Sequence, residues 1–194
     1  MKQIIEGMKL EHAQQIAESL KAELEPYCER IEIAGSIRRK KPEVKDIEFV
    51  CIPKFAEVGT GQTTLFGGEQ TITENLLFGY LTSASKYSIE KIGDKYCQFN
   101  ILEERIDDHR RYDKIQVDLF TATEQTWGYI FLIRTGPADF SKWVVTELKR
   151  RGFTPKGGAI YDEDMYETTP VYTPTEKNVF ELLQIHYLEP EDRC

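Results

Sequence analysis

The stretch at residues 34–50, "AGSIRRKKPEVKDIEFV", decides which fold and which chemistry we expect of this chain. It begins with a Gly-Ser pair, continues with four consecutive basic residues, and ends with two carboxylates one residue apart in an apolar run. Side chains along a β-strand alternate between its two faces. We therefore expect Asp46 and Glu48 to lie together on one face, while Ile47 and Phe49 enter the core.

The paired carboxylates suggest a metal site, because two neighbouring negative charges repel unless a cation lies between them. Mg²⁺ takes oxygen ligands and is often shared between protein carboxylates and substrate phosphates. Asp118 is a candidate third ligand, since it interrupts the apolar run "IQVDLF", where an unpaired buried carboxylate would be costly. The alternative is that Asp46 and Glu48 lie on a solvated face and that Asp118 caps a turn.

The first half of the stretch is suited to binding phosphate. Gly35 and Ser36 are expected to end a strand and open a helix or turn, where free backbone N–H groups and a hydroxyl can receive a phosphate. Arg38 and Arg39 follow, and a guanidinium can donate two hydrogen bonds to phosphate oxygens. The alternative for the basic run is a solvated charge cluster, or a nucleic-acid patch unconnected with the acids. Taken together, the two halves favour a nucleoside triphosphate with its metal ions.

Composition sets the physical context. The chain has 194 residues, 40% of them hydrophobic, which is enough to bury a core as one domain or two small lobes. Its 25 basic and 33 acidic residues give a net charge of −8, so contacts with nucleic acid must come from local patches. The four cysteines are scattered without a C-x-x-C pair, which favours reduced thiols and a cytoplasmic protein. No apolar run approaches the roughly 18 residues of a membrane span.

Periodicity predicts alternating helices and strands. Apolar spacing over residues 13–24 predicts an amphipathic helix that ends before Pro26, and the Gly-rich segment 54–72 is predicted to be a long loop. The sequence pattern changes near residues 121–127, where a smaller C-terminal unit begins. In this unit we expect one helix around residues 140–151, a Gly-Pro-Thr-rich stretch at 152–174 and a last helix from Thr175. The remaining predictions are a strand at 31–34, a helix at 74–85, and strands at 95–102 and 114–120.

Four aromatic residues are candidates for stacking on nucleobases, but aromatic side chains at apolar helix or strand positions usually belong to the core. Core positions are therefore the favoured interpretation, and no binding role is assigned to these four residues: Tyr96, Trp127, Trp143 and Phe153.

Four segments in this order resemble the catalytic core of the family X DNA polymerases, the polymerase beta-like group of the nucleotidyltransferase superfamily. They are "GSIRRKKPEVKDIEFV", "QVDLF", "IRTGPADFSKW" and "TEKNVFELLQIHYLEPEDR". The resemblance runs from about residue 8 to the end of the chain. It implies an α+β fold, with a nucleotidyltransferase palm over residues 1–125 whose mixed β-sheet is flanked by helices. It also implies a small α/β thumb-like domain over residues 126–194.

The resemblance implies a role for each matching residue. Metal binding and catalysis fall to Asp46, Glu48 and Asp118, which would hold two Mg²⁺ ions, with Mn²⁺ as a substitute. Five residues would contact the triphosphate and the rest of the nucleotide: Gly35, Ser36, Arg39, Thr135 and Gly136. A basic strip that includes Lys142 would contact the DNA. The alternative for Lys142 is a solvent-facing helix charge.

The activity implied is addition of a nucleotide from a dNTP to a DNA 3′-hydroxyl, with release of pyrophosphate. The substrate would be primer-template or gapped DNA. The protein would be a monomeric repair or gap-filling polymerase, and a virus or phage could encode it. Two alternatives stay open. One is transfer to another acceptor, such as an RNA end, a template-free DNA end or a small molecule. The other is a nucleic-acid-binding module that has lost catalysis, although the intact acids argue against this.

The chain also departs from the family pattern. It resembles the minimal palm-plus-thumb members, without the N-terminal lyase and fingers segments. The first acid pair is D-x-E where the family usually shows D-x-D. Ile133 and Arg134 replace the aromatic pair that often precedes Thr-Gly, while Ser141 and Val145 stand where an Asn and a basic residue are usual. These changes affect the expected nucleotide pocket.

Overall fold

The structure, a computed structural model, describes most of the chain: residues 7–63, 67, 69–101, 114–164 and 169–193. Its helices are α1 (Leu10–Leu24), α2 (Gly35–Arg38), α3 (Leu76–Ser83), α4 (Trp127–Thr135), α5 (Ala138–Arg150) and α6 (Glu176–Leu182). Its strands are β1 (Met8–Lys9), β2 (Cys28–Ile33), β3 (Glu43–Val44), β4 (Ile47–Pro53), β5 (Phe55–Thr63), β6 (Glu69–Asn75), β7 (Tyr87–Gly93), β8 (Tyr96–Ile101), β9 (Ile115–Thr121), β10 (Phe153–Lys156) and β11 (Ala159–Asp162).

A mixed five-stranded sheet organises the N-terminal part of the molecule. Its strand order is β2-β4-β9-β8-β7; β4 and β9 run parallel, and the other neighbours run antiparallel. Helix α1 buries Ala13, Ala17, Leu20 and Leu24, which recur at helical spacing, and it ends just before Pro26. The predicted α+β class with a mixed sheet flanked by helices is confirmed.

The prediction of a loop at residues 54–72 is wrong over most of its length. Strands β5 and β6 form an antiparallel hairpin in which Val58 lies opposite Ile72. Both side chains are exposed, as is that of Phe55, so the strands are held by their backbone hydrogen bonds more than by a buried face. Because the described side chains of the hairpin form no buried face, the sequence carries no period-two hydrophobic pattern to indicate a strand.

The C-terminal part contains more structure than predicted. Helix α4 precedes α5, so the prediction of a single helix there is wrong; α4 buries side chains all round and therefore lacks an amphipathic period. The Gly-Pro-Thr-rich stretch, for which no helix or strand was predicted, contains the hairpin β10–β11, whose turn at Gly157 and Gly158 has φ of 60° and 85°. Helix α6 begins after Thr175 as predicted, with Asn178 completing a capping box.

Three clusters of apolar side chains form the core. One lies between the sheet, α1 and α3, and a second is built by α4, α5 and α6. The third contains Val50 of β4 with Trp127 and Phe131 of α4, and so connects the two parts. The proposed boundary between residues 125 and 126 stays a prediction.

The four aromatic residues predicted to be core differ in exposure. Trp127 is only 1% exposed, as predicted, and Tyr96 and Phe153 are half-buried. Trp143 is 41% exposed, so its prediction as a core residue is wrong. It lies beside the buried stripe of α5, which sequence spacing alone did not resolve. None of the helices in the described ranges combines the length and apolar character that a membrane crossing requires.

Candidate active site

The sheet brings two of the predicted acids directly together. Glu48 on β4 and Asp118 on β9 are register partners in the parallel strand pair, so their side chains leave the same face side by side. Asp46 lies in the bend just before β4, which begins one residue later than predicted. Ile47 and Phe49 are fully buried, as the alternation predicts.

The electrostatics of the three acids show that they act on one another. Burial, followed by the charge of Asp118, raises the pKa of Asp46 above its usual range. Burial, reinforced by the charges of Asp46 and Asp118, raises the pKa of Glu48 to about 7. The opposing influence of Arg39 and Arg134 on Glu48 is smaller. A solvated surface pair would not show such shifts, so Asp46 and Glu48 lie in a partly buried site that disfavours their charged forms.

The fit of this site to a metal ion rests on donor chemistry. Carboxylate oxygens are the ligands that Mg²⁺ prefers, and uncompensated negative charge favours a bound cation. Among the residues that the structure describes, however, no group of three or more His, Cys, Asp or Glu side chains is arranged so that it could enclose an ion. The donor types fit a divalent cation, while the three-acid metal site itself stays a prediction.

Asp118 is held by a set of neutral donors that sequence reasoning missed. Its Oδ1 accepts hydrogen bonds from the Tyr96 hydroxyl at 2.6 Å and from Gln98 Nε2 at 2.9 Å, and its Oδ2 accepts one from Gln116 Nε2 at 3.0 Å. Gln98 is the cross-strand partner of Asp118 on β8, and Gln116 lies two residues earlier on β9. The sequence signal that could have indicated these donors is the presence of glutamines in otherwise apolar strands.

Gly35 places the start of α2 directly against Glu48. Its φ of 60° is in the left-handed region, and a Cβ at this position would collide with the Glu48 carboxylate. The adjoining Ser36 hydroxyl is buried and has no hydrogen-bond partner in the described part of the chain. A buried hydroxyl without a partner beside these acids is available to form a hydrogen bond with a polar group of a bound molecule.

A cleft of about 340 Å³ opens beside Ser36, within the size range of small-ligand sites. Its lining contains three basic and two acidic side chains: Ser36, Arg39, Lys41, Pro42, Glu43, Lys45 and Asp46. The predicted triphosphate residues Ser36 and Arg39 therefore share one cleft with the predicted metal ligand Asp46.

Arg39 links this cleft to the C-terminal part. Its Nη1 donates a hydrogen bond to the carbonyl oxygen of Thr135, while its Nε is buried without a partner among the described residues. Burial lowers the pKa of Arg39, and the charges of Glu48 and Asp46 oppose that effect. Thr135 is fully buried and Gly136 ends α4, so both predicted nucleotide residues lie close to Arg39.

Arg38 has a different role from its neighbour. Its two terminal nitrogens each donate to one oxygen of Glu176 at 2.7 Å, and Nη1 also donates to the Thr135 hydroxyl at 2.6 Å. Arg193 donates to the same carboxylate at 2.8 and 3.1 Å, and the Tyr187 hydroxyl lies 3.2 Å from it. This buried ion triad joins α2 to α6 and to the end of the chain.

Arg134, one of the departures from the family pattern, also reaches the site. Its guanidinium lies 3.8 Å from the ring centroid of Phe120, which stacks in turn on Tyr96 at 5.0 Å. Burial lowers the pKa of Arg134, while the charge of Glu48 opposes that shift. Lys142, by contrast, is not brought to the acids: it lies on the exposed face of α5, 3.2 Å from Asp139.

The raised pKa of Glu48 predicts a pH-dependent gain from Glu48→Gln. The pKa of Glu48 is about 7 in the folded protein and ordinarily 4.5. The free energy of unfolding of the wild type is therefore highest below about pH 4.5 and decreases as the pH rises to about 7. The loss amounts to at most about 3 kcal/mol. In EDTA at pH 8, we expect Glu48→Gln to be more stable than the wild type by up to this amount, because the variant cannot ionise.

Urea denaturation at pH 4.5 and pH 8 measures this effect, and Glu124→Gln, at an exposed position, is the matched control. A Glu48→Gln variant that is less stable than the wild type at both pH values would contradict the assignment of an uncompensated charge.

Comparison with known families finds a similarity in the C-terminal part of this arrangement. Residues 130–194 match the family model of the DNA polymerase beta thumb. This thumb region contains Thr135, Gly136 and Lys142, and also both C-terminal members of the ion triad, Glu176 and Arg193. No curated protein matches the chain. The thumb match supports a polymerase-related protein with a polymerase beta-like, family X relationship, and it leaves the acid-bearing sheet outside the matched segment.

Proposed function

We propose that this protein is a metal-dependent nucleotidyltransferase that adds a nucleotide to a DNA 3′-hydroxyl and releases pyrophosphate, as a small repair or gap-filling polymerase. The observation that carries the proposal is the register pairing of Glu48 with Asp118, directly beside Gly35 and the orphaned Ser36 hydroxyl. A thumb region of the polymerase beta kind, joined to this site through Arg39, adds independent support.

Within this proposal, Asp46, Glu48 and Asp118 hold the metal ions, two Mg²⁺ with Mn²⁺ as a substitute. Such ions lower the pKa of an attacking hydroxyl and neutralise a triphosphate. The neutral donors Tyr96 and Gln98 keep the Asp118 carboxylate oriented. The closeness of the acids raises the electrostatic cost of the site without ions, which favours loading with cations.

The nucleotide would bind in the cleft beside the acids. The Gly35 and Ser36 amides and the Ser36 hydroxyl would donate to the triphosphate, and Arg39 would add positive charge as negative charge builds on the leaving pyrophosphate. Thr135 and Gly136 would contact the sugar and base, since Arg39 already holds the Thr135 carbonyl next to the cleft.

The DNA would contact the thumb region, including Lys142, in a monomeric palm-plus-thumb arrangement divided between residues 1–125 and 126–194. With a net charge of −8, the protein must rely on such local basic surfaces. We expect modest affinity for duplex DNA with a shallow salt dependence, because that dependence follows the number of neutralised phosphates.

An extension assay tests the proposal. The protein is incubated with Mg²⁺ or Mn²⁺, labelled nucleotides, and gapped, blunt or single-stranded DNA or RNA. We expect one-nucleotide extension of the gapped DNA, and no product with Asp46→Asn. Absence of extension with every acceptor would overturn the catalytic proposal and leave a nucleic-acid-binding module. Extension of RNA or of template-free ends alone would favour a different acceptor, a candidate to which the acidic net charge and the position of Arg134 lend weight.

A conservative change at Tyr96 tests the support of Asp118. Tyr96→Phe removes the 2.6 Å hydrogen bond but keeps the ring stacked on Phe120. We expect kcat to fall about tenfold, as for other changes behind a ligand, with KM for the nucleotide nearly unchanged. Tyr80→Phe is the matched control, because its hydroxyl donates instead to Glu23. Wild-type kcat in Tyr96→Phe would show that the hydroxyl has no positioning role.

A further inference from the structure

A stack of side chains connects Arg134 to the acids of the candidate active site. The guanidinium of Arg134 lies 3.8 Å from the centroid of the Phe120 ring, and that ring stacks on Tyr96 with the centroids 5.0 Å apart. The Tyr96 hydroxyl donates a hydrogen bond to Asp118 at 2.6 Å. A cation at the end of α4 is therefore connected to the acid site through ring contacts and a hydrogen bond.

The sheet sets the distance between this stack and the acids. Phe120 and Asp118 are two residues apart on β9, so their side chains leave the same face, roughly 7 Å apart along the strand. Glu48 is the register partner of Asp118, and Val50 is that of Phe120. The guanidinium of Arg134 therefore lies over the row of side chains next to the acid pair, where its charge still acts on both carboxylates.

The charges of Arg134 and of the acids act on one another. Burial raises the pKa of Glu48, and the charge of Arg134 is among the influences that oppose this rise. Burial lowers the pKa of Arg134, and the charges of Glu48 and Asp118 are among those that oppose this fall. Arg134 is also exposed to solvent, which screens the attraction and keeps its free energy modest.

Arg134 is held less firmly than Arg39, the other arginine near the acids. Arg39 donates a hydrogen bond to the carbonyl oxygen of Thr135, the residue directly after Arg134. Arg134 instead contacts the face of a ring, which leaves the N–H groups at the edge of its guanidinium accessible. Rotation of an exposed side chain is fast and leaves the backbone in place. The cation of Arg134 can therefore withdraw from the acids while α4 stays packed.

We propose that Arg134 is a partial counter-cation of the acid site, which stabilises the paired carboxylates in the ligand-free protein and competes with a divalent cation for them. This inference deepens the proposed function, and it rests on that function where the divalent cation is concerned. An ion bound by Glu48 and Asp118 brings positive charge close to the guanidinium and repels it. Arg134 therefore raises the concentration of divalent cation that the site requires.

Binding of Mn²⁺ in the absence of nucleotide, followed by the electron paramagnetic resonance of the free ion, tests the competition. We expect Arg134→Gln to lower the Kd for Mn²⁺ about threefold, the effect of removing one partly screened like charge. Arg134→Lys keeps the charge and should leave the Kd close to that of the wild type. Arg30→Gln is the matched control, because Arg30 also lies over an aromatic ring, 3.9 Å from the centroid of Trp127, but its register partner Ile52 is at the other end of β4.

A double-mutant cycle in EDTA tests the attraction itself, without any ion. At pH 8, Arg134→Gln should lower the thermal midpoint of the wild type by about 2 °C. In a Glu48→Gln background, where one of the attracting charges is already removed, the loss should be at most about half as large. An equal loss in both backgrounds would show that Arg134 acts only on α4, whose last turn it occupies, and would overturn the counter-cation role.

The outcomes separate this inference from the proposed function. An unchanged Kd for Mn²⁺ in Arg134→Gln, or an equal decrease in Arg30→Gln, would overturn the competition even if the protein extends primers. A Kd in Arg134→Lys as low as that in Arg134→Gln would also overturn it, because the charge would then not be the cause. A wild type that binds no Mn²⁺ would refute the metal-dependent function together with the competition, and the cycle in EDTA would then decide the counter-cation role by itself.

Discussion

Asp118→Asn is expected to reduce nucleotide addition by about 10³-fold or more, because the amide removes the negative charge next to Glu48 that a metal ion would neutralise. The fold should survive the change. Asparagine keeps an acceptor oxygen and the side-chain shape, and the amides of Gln98 and Gln116 can reorient to match it. Relief of repulsion with Glu48 should leave the thermal midpoint in EDTA at least as high as that of the wild type.

Primer extension and thermal unfolding of the same preparation test both halves of this prediction. Asp94→Asn is the matched control, since this aspartate is exposed in the turn between β7 and β8. Retained extension in Asp118→Asn would refute a catalytic role for the acid cluster. A clear fall in the midpoint, with activity already lost, would instead show that the three donors around Asp118 matter mainly for folding.

Glu176→Gln is expected to destabilise the protein by about 3–5 kcal/mol, which is the usual cost of leaving buried charges without their partner. The Arg193 side chain is fully buried, and Arg38 is largely so. Both guanidiniums depend on the Glu176 carboxylate, and Arg38 also holds the Thr135 hydroxyl. The change should therefore weaken the contact between α2 and the thumb region as well as overall stability.

Urea denaturation at pH 7 measures the effect, with Glu181→Gln on the same helix as the exposed control. The pH dependence supplies a second check. Burial alone would raise the pKa of Glu176, but hydrogen bonds from Arg38 and Arg193 lower it below its ordinary value. Its contribution is present above the unfolded pKa and is lost as the pH falls, so the gap between variant and wild type should narrow in acid. A cost below about 1 kcal/mol at pH 7 would show that the triad is not a principal link.

The sequence predicted those elements whose pattern is local. Helix α1 and the strands around Glu48 and Asp118 follow from apolar periodicity, and α6 follows from its capping residue Thr175. Helix α4 was missed because Trp127 and the residues after it are buried on several sides, which erases the period. The hairpin β5–β6 was missed for the opposite reason, since those of its residues whose burial the structure describes form no buried face that would produce an alternation.

In the candidate site, too, local sequence patterns predict some features and tertiary packing decides the others. Spacing alone predicted that Asp46 and Glu48 share one face, because alternation along a strand is a local rule, although Asp46 lies in the bend just before β4. It could not indicate that Tyr96 donates to Asp118, since that contact depends on which strand is the neighbour of β9. Nor could it reveal that Trp143 is exposed, because this residue lies at the border of the buried stripe of α5 and its environment depends on how the helix packs.

The sequence by itself determined the inventory of the site: paired acids, a Gly-Ser turn and a basic run, in an order that resembles a polymerase beta-like core. Only the tertiary structure decided the separate roles of Arg38 and Arg39. Consecutive residues of a helical turn point about 100° apart, so although both guanidiniums reach Thr135, their other partners differ. Arg38 binds Glu176 because α6 packs on that side, while Arg39 lies at the cleft beside Asp46. No pattern in the neighbouring sequence specifies which side α6 will occupy.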